Sequence, residues 1–213
     1  MPVEVGQEIP DFTLDSQMGS VSLHDLISER WCLLITLKSA FDPVTTSEIV
    51  ALHRYALQSE LQKRNITVVS VGCDTVQNYR KWSKEIDEYF SLSTQCPIVS
   101  DPSCSYLQQV GCAGLTPPTM DLQPTSLGCF LIDQEKKVRI KFEYPPSIAR
   151  NFTEILRLYD AMQVTIGDKT VVPYGWTPGS KVFVSNDLSD EEAVRLVSDR
   201  MTKLKPWLRE VTL

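Results

Sequence analysis

The sequence predicts an α/β fold in which helices cover a largely parallel sheet, followed by a small C-terminal α+β domain. Short runs rich in β-branched residues alternate with longer stretches of helical period, and this pattern changes near Asp168. The strand-like runs span residues 33–37, 67–71, 127–132 and 138–142, and the helical stretches span 46–63, 76–88, 103–110 and 149–162.

The connections follow from their turn residues. The four residues from Asp133 to Lys136 predict the tight turn of an antiparallel hairpin, and the three prolines within 115–124 predict an irregular loop. Beyond Asp168, short strands at 170–173 and 181–185 and a helix from 190 to 201 predict a second domain. We therefore expect domains at 1–167 and 168–213.

Composition limits the classes of function. The net charge of -6 is spread along the chain, which argues against binding to nucleic acid or to anionic membranes. No apolar stretch reaches the roughly 18–20 residues needed to cross a bilayer, and residues 1–10 lack the features of a signal peptide. These features predict a cytoplasmic protein that is not inserted into a membrane.

The six cysteines form no C-x-x-C pair and no metal-ligand spacing with the two histidines, so we expect neither a metal nor a cofactor. Most of the cysteines lie in apolar runs, where a buried thiol acts as a small hydrophobic side chain. Cys104 and Cys112 lie in a more polar stretch, which predicts partial exposure. The cysteines are Cys32, Cys73, Cys96, Cys104, Cys112 and Cys129.

Several segments share their residues and their order with a known family. They are 41–48 after the apolar run 32–37, 79–86, 96–101, 144–157, and the tail from 172 through Trp176-Thr177-Pro178-Gly179 to 191–193. Together they resemble the peroxiredoxins (the AhpC/TSA family), and in particular the one-cysteine subfamily with an added C-terminal domain. The resemblance implies a thioredoxin-like fold.

The resemblance also implies where a peroxidase site would lie. In the family a P-x-x-x-T-x-x-C turn holds the peroxide-attacking cysteine, and the matching positions here are Lys38, Asp42 and Thr45. Leu127 stands where the family has an arginine that stabilises the thiolate. A threonine hydroxyl cannot be ionised as a thiol can, and Asp42 would oppose an anionic nucleophile.

The family's supporting pair is retained as Glu48 and Arg150. An ion pair of this kind can persist for stability. Residues 45–48 also read as a capping box, in which the hydroxyl of Thr45 and the carboxylate of Glu48 satisfy main-chain amides, and Asp42 followed by Pro43 suits a helix N-cap.

These replacements predict a protein without thiol peroxidase activity that acts as a structural or interaction component. A redox-active protein that reduces or senses peroxide through another cysteine, Cys104 or Cys112, is the alternative. A peroxide- or thiol-responsive regulatory role without turnover is a third reading.

The subfamily's second proposed activity, phospholipid hydrolysis, needs a serine, a histidine and an acid. His24 is at the position of the subfamily's histidine, and Glu135 is at the position of its acid. Arg30 occupies the position of the serine, and Ser28 lies two residues away. A triad without its nucleophile cannot transfer an acyl group.

Apolar content at two places predicts self-association. Within 138–142, Val138, Ile140 and Phe142 alternate with Arg139 and Lys141, as in a strand with one covered face. The tail 203–209 also carries apolar and aromatic residues. Relatives pair through these regions, so we expect a homodimer or a contact within a larger protein assembly.

Overall fold

A computed structural model describes residues 2–116, 121–165, 169–197 and 200–212. Contacts divide the chain into two compact units, Met1–Arg150 and Asn151–Leu213. The boundary predicted between residues 167 and 168 falls on residues outside the described part of the chain and stays a prediction.

The described residues form an alternating series of strands and helices. The strands are Thr13–Ser16 (β1), Gly19–Ser22 (β2), Trp31–Leu37 (β3), Ile66–Gly72 (β4), Ile98–Ser100 (β5), Ala113–Thr116 (β6), Asp121–Pro124 (β7), Leu127–Ile132 (β8), Val138–Tyr144 (β9), Thr170–Val171 (β10), Val182–Val184 (β11), Met201–Lys205 (β12) and Leu208–Val211 (β13). The helices are Leu23–Ile27 (α1), Pro43–His53 (α2), Tyr55–Lys63 (α3), Val76–Phe90 (α4), Ser105–Gln109 (α5), Phe152–Val164 (α6) and Asp190–Val197 (α7).

The first unit is built on a sheet with the strand order β2-β1-β5-β4-β3-β8-β9. Strands β3, β4 and β5 are parallel, and their register places Leu37 beside Gly72 and Gly72 beside Ser100. The carboxyl ends of these three strands therefore meet at one edge. In open α/β sheets this edge is the usual position of a functional site.

The β-branched and leucine-rich runs explain the burial of these strands. Residues Cys32 to Leu37 of β3 are all buried, as are all six residues of β8, because both strands lie inside the sheet with apolar side chains on both faces. One core cluster includes Phe12, Leu34, Val71 and Phe130.

The second unit has its own sheet, in the order β10-β11-β13-β12, and its own core around Ala161, Trp176 and Val184. Helix α7 contributes Ala193 and Val197 to that core. This unit confirms the predicted mixture of short strands and a helix, and it adds the hairpin of β12 and β13.

Two local predictions need correction. Residues 46–63 form two helices, because Arg54 has an extended backbone (φ -70°, ψ 137°) that ends α2 and precedes α3. The proline-rich segment 115–124 is not wholly irregular, since β6 and β7 pair with each other and Ala113 lies opposite Pro124. A proline is tolerated there because a two-stranded ladder leaves one side of each strand unpaired. Prolines 117 and 118 lie outside the described residues.

The predicted turn between β8 and β9 is confirmed, with the Lys136 amide donating to the Asp133 carbonyl at 3.0 Å. Lys136 takes a positive φ of 66°, as a tight hairpin turn requires. Among the described residues, no helix combines the length and the apolar character needed to cross a membrane.

Candidate functional site

The three parallel strands place three short segments at one edge of the sheet. The turn from Lys38 to Thr45 follows β3, Cys73 follows β4, and Cys104 follows β5 by four residues. A hydrogen bond from the Ala40 amide to the Asp74 carboxylate (3.2 Å) ties the first segment to the second. The predicted family site and two cysteines therefore share this edge.

The predicted site residues Lys38, Asp42 and Thr45 are brought together at the start of α2. The Asp42 carboxylate accepts from the Thr45 amide at 2.9 Å and from the Thr45 hydroxyl at 3.0 Å, and Lys38 Nζ lies 3.4 Å away. Burial raises the pKa of Asp42, but hydrogen bonds from Thr45 and Lys38 outweigh this effect, so the pKa lies below its ordinary value. Asp42 is therefore an anionic helix cap, as predicted.

Thr45 does not act as predicted. Its side chain is fully buried and its hydroxyl donates to Asp42 instead of accepting from a main-chain amide. The capping box with Glu48 is not formed, because Asp42 already caps the helix and the Glu48 carboxylate is directed to Arg150. A buried hydroxyl hydrogen-bonded to a carboxylate offers no accessible nucleophile at position 45.

Glu48 and Arg150 form the predicted pair, and both side chains are almost completely buried. Arg150 donates to Glu48 through its main-chain amide (2.7 Å), through Nε (2.9 Å) and through Nη2. Its Nη1 donates to the carbonyls of Thr36 (2.8 Å) and Gly128 (2.6 Å). The pair thus joins α2, β3 and β8 beneath the edge.

Leu127 is fully buried at the start of β8, opposite Tyr144. Lys38 is half exposed. The interpretation of Lys38, Asp42, Thr45 and Leu127 as replaced positions of the family site rests on the resemblance and stays a prediction.

Sequence reasoning missed a disulfide between Cys73 and Cys104, whose Cα atoms are 5.2 Å apart. Sequence alone cannot give the pairing of cysteines 31 residues apart, since only the fold brings β4 beside the segment after β5. Cys73 is partly buried, and Cys104 is 2% exposed. The predictions that Cys73 is a buried hydrophobic residue and that Cys104 is partly exposed are therefore wrong.

A surface cavity of about 560 Å³ is lined in part by residues that are near the two cysteines in the sequence. Its lining includes Thr75, two residues after Cys73, and Pro102, two residues before Cys104. Arg80 on α4 adds a cation to the lining. Neither Cys73 nor Cys104 is among the residues that line this cavity.

The other four cysteines are free thiols and are all buried. Burial raises the pKa of Cys96 and of Cys129 to about 12, and it raises the pKa values of Cys32 and Cys112 as well. Thiol chemistry needs an accessible thiolate. The prediction that Cys112 is partly exposed is wrong, because this residue is fully buried.

The residues considered for phospholipid hydrolysis are engaged elsewhere. His24 Nε2 bonds to the Ile9 carbonyl at 2.8 Å, and its Nδ1 lies 3.9 Å from Asp11. Glu135 pairs with Lys137 at the hairpin turn. Within the part of the chain that the structure describes, no hydrogen bond or ion pair joins the His24 side chain to Glu135, Ser28 or Arg30. Among the described residues, no group of three or more His, Cys, Asp or Glu side chains could hold a metal ion.

The sheet and this edge define a thioredoxin-like protein of the peroxiredoxin class. Residues 5–141 match the AhpC/TSA family, and residues 161–199 match the C-terminal domain of 1-Cys peroxiredoxin. The chain therefore belongs to the AhpC/TSA family, with the added domain of the 1-Cys peroxiredoxins.

Relatives and solved structures support this family assignment. 1-Cys peroxiredoxin A of Oryza sativa is 31% identical over 193 residues (89% of this chain, 86% of that protein), and 1-Cys peroxiredoxin of Dictyostelium discoideum is 29% identical over 207 residues (97% and 84%). The structure of the yeast mitochondrial 1-Cys peroxiredoxin, solved for its thiol resolving mechanism via glutathione/thioredoxin systems, has a TM-score of 0.87 at 26% identity (99% of this chain, 100% of that chain). A cysteine-to-serine mutant of peroxiredoxin 6 of Arenicola marina has a TM-score of 0.87 at 28% identity (99% and 98%).

These relatives correct two predictions. The prediction of a structural component without thiol peroxidase activity is wrong, because relatives over nearly the whole chain are 1-Cys peroxiredoxins and the findings favour a redox-active protein. That prediction rested on the replacements at Lys38, Asp42, Thr45 and Leu127, and it left Cys104 or Cys112 as the alternative. The prediction of a cytoplasmic location is also wrong, because the relatives include the mitochondrial peroxiredoxin PRX1 of Saccharomyces cerevisiae.

Proposed function

We propose that this protein is a thiol-dependent, peroxide-consuming member of its family whose reactive couple is Cys73 and Cys104. The Cys73–Cys104 disulfide at the carboxyl edge of the parallel strands carries the proposal. It supplies the reversible two-electron chemistry of a peroxiredoxin without a thiol at position 45. The four remaining thiols are buried, and burial raises the pKa of each, which favours this couple as the reactive pair.

Burial assigns the two roles. Cys73 is the less buried of the pair, so its thiolate attacks the terminal oxygen of the hydroperoxide. The O–O bond breaks, an alkoxide or hydroxide leaves and takes a proton, and Cys73 becomes a sulfenic acid. The sulfur of Cys104 then attacks the sulfenic sulfur, and the S–S bond forms as water leaves.

The cycle closes when an external thiol reduces the disulfide. Two thiol equivalents are oxidised to their own disulfide, and Cys73 and Cys104 each regain a proton. The yeast relative resolves its thiol via glutathione/thioredoxin systems, and we assign a reductant of the same chemistry here. Where the reductant is scarce, the disulfide persists after the reaction with peroxide, and the protein then acts as a peroxide sensor.

The test follows the thiols directly. Fully reduced protein is treated with one equivalent of hydrogen peroxide, and mass spectrometry after alkylation counts the thiols and maps the disulfide. We expect six thiols to become four, with Cys73 and Cys104 joined. Cys73→Ser abolishes turnover with glutathione or thioredoxin, and Cys104→Ser leaves a sulfenic acid on Cys73. Cys112→Ser is the matched control, because its thiol is fully buried, and it retains full turnover.

Two results would remove the proposal. One is a protein that keeps all six thiols after peroxide treatment, and the other is turnover that survives Cys73→Ser. If Cys112→Ser loses turnover while Cys73→Ser keeps it, the reactive thiol would be the buried Cys112.

We also propose that the protein forms a homodimer. Peroxiredoxins commonly form oligomers. Strand β9 lies at the edge of the seven-stranded sheet, where the described part of the N-terminal segment pairs only with its first residue: Gly6 donates to the Val138 carbonyl (2.7 Å) and the Val138 amide donates to Gln7 (2.9 Å). Further along the strand, Ile140 and Phe142 are only partly buried. Such an edge favours pairing with a second copy. Light scattering at micromolar concentration should give twice the mass of the chain, and a monomer under these conditions would contradict self-association.

A further inference from the structure

Cys104 has a backbone conformation that residues other than glycine rarely adopt. Its φ is 54° and its ψ is 19°, in the left-handed region. A cysteine in this region is uncommon, and such strain persists only where surrounding contacts hold it. The conformation belongs to one of the two residues that form the disulfide.

Asp101 connects the two cysteines through the main chain. Its amide donates to the carbonyl of Gly72, the residue before Cys73, at 2.8 Å. Its own carbonyl accepts from the Cys104 amide, also at 2.8 Å. Two consecutive hydrogen bonds thus fix the separation of the two cysteine backbones.

The carboxylate of Asp101 holds the segment after Cys104. Oδ2 accepts from the amides of Tyr106 (2.9 Å) and Leu107 (3.1 Å). Oδ1 accepts from the Ser105 amide (3.2 Å) and from the hydroxyls of Ser103 (3.0 Å) and Ser105 (3.3 Å). Asp101 is 2% exposed. Five donors from both sides of Cys104 therefore converge on one buried carboxylate.

We infer that Asp101 is a positioning residue that sets the redox equilibrium of the Cys73–Cys104 couple. Because it holds Cys104 in its strained conformation at a fixed distance from Cys73, it raises the effective concentration of one sulfur at the other. The inference rests on the proposed function. It adds to that function the residue that determines how readily the disulfide forms.

A purely structural role makes a different prediction. If Asp101 only capped α5, its loss would destabilise the dithiol and disulfide forms equally, and the equilibrium between them would not change. A positioning role stabilises the disulfide form more than the dithiol form. The redox equilibrium constant separates the two because it measures only the difference between the forms.

The experiment equilibrates the full chain in glutathione buffers of graded ratio and quantifies the Cys73–Cys104 disulfide by alkylation and mass spectrometry. Asp101→Asn keeps the size of the side chain but replaces one accepting oxygen with a donor. We expect the equilibrium constant for disulfide formation to fall about tenfold, which raises the reduction potential by about 30 mV.

Asp87→Asn is the matched control. The Asp87 carboxylate accepts from the amide (2.9 Å) and hydroxyl (2.7 Å) of Thr94 at the end of α4. This variant loses carboxylate hydrogen bonds to Thr94, whereas the Asp87 carboxylate has no hydrogen bond to the described segments that carry Cys73 and Cys104. Its equilibrium constant should stay within about twofold of that of the unchanged protein.

Each outcome decides between the two claims. An unchanged constant in folded Asp101→Asn would overturn the positioning role and leave the proposed function intact. No disulfide in the unchanged protein would overturn the proposed function, and this role with it. If Asp101→Asn does not fold, the double variant Ser103→Ala and Ser105→Ala removes the two hydroxyl donors. It should lower the constant in the same direction, and no change there would also refute the positioning role.

Discussion

Replacing Glu48 by Gln removes one charge from the buried pair with Arg150 while keeping almost the same side-chain volume. The lost free energy is therefore electrostatic and not a packing defect. The Arg150 guanidinium is fully buried, and without the carboxylate only neutral acceptors offset its charge: the carbonyls of Thr36 and Gly128 and the amide oxygen of the new side chain. An uncompensated buried charge costs about 3–5 kcal/mol, and the two carbonyls favour the lower end of this range.

The change should be clear in urea unfolding. With a denaturant dependence of about 2–3 kcal/mol per molar, a loss of about 3 kcal/mol lowers the midpoint by about 1 M. Circular dichroism follows the transition, with Cys73 and Cys104 kept oxidised in all variants. Arg150→Met is the second single variant, since it leaves Glu48 buried without its cation.

The double variant, Glu48→Gln with Arg150→Met, tests the origin of the effect. Both charges are then absent, so its cost should be smaller than the sum of the single costs by at least about 2 kcal/mol. Additive costs, or a single cost below about 0.5 kcal/mol for Glu48→Gln, would show that the pair is not an electrostatic unit.

Two further predictions concern the same edge of the sheet. Asp42→Ala should cost about 1 kcal/mol at neutral pH because it removes the cap of α2. Since hydrogen bonds hold the pKa of Asp42 below its ordinary value, its contribution is complete above about pH 4 and is lost as the pH falls further, so unfolding curves of the two proteins should converge in acid; a constant difference down to low pH would contradict this. Gly72→Ala would place a Cβ 2.3 Å from the Tyr79 hydroxyl oxygen and 3.0 Å from the Leu37 Cβ, and should cost at least about 1–3 kcal/mol. Adding Tyr79→Phe, which removes the closer atom, should recover part of this loss in thermal unfolding, and no recovery would refute the steric explanation.

The sequence predicts those parts of the fold that depend on local pattern. The alternation of strands and helices, the Asp133–Lys136 turn and the Asp42 cap each follow from neighbouring residues. The Glu48–Arg150 pair was also found, but only through the resemblance, because the two residues are 102 positions apart. Pattern alone carries no signal for a contact of that separation.

The remaining features depend on competition or on long-range contacts. Asp42 and Thr45 are both acceptable caps, and the carboxylate prevails because it accepts from both the amide and the hydroxyl of Thr45. Whether Cys73 meets Cys104 depends on the parallel pairing of β4 and β5, which composition does not encode. The pairing of Cys73 with Cys104 was therefore missed, although Cys104 was considered together with Cys112.

The four buried thiols can be used to measure where the folded protein opens locally. Cys32 and Cys129 lie on the adjacent strands β3 and β8, whereas Cys96 precedes β5 and Cys112 precedes β6. A labelling reagent reaches each thiol only when its surroundings open, so the four alkylation rates would measure local opening free energies at four places in the first unit. Cys112 should be among the slowest to react, because the backbone of Gly128 closes over its sulfur so tightly that a Cβ there would lie 2.3 Å away.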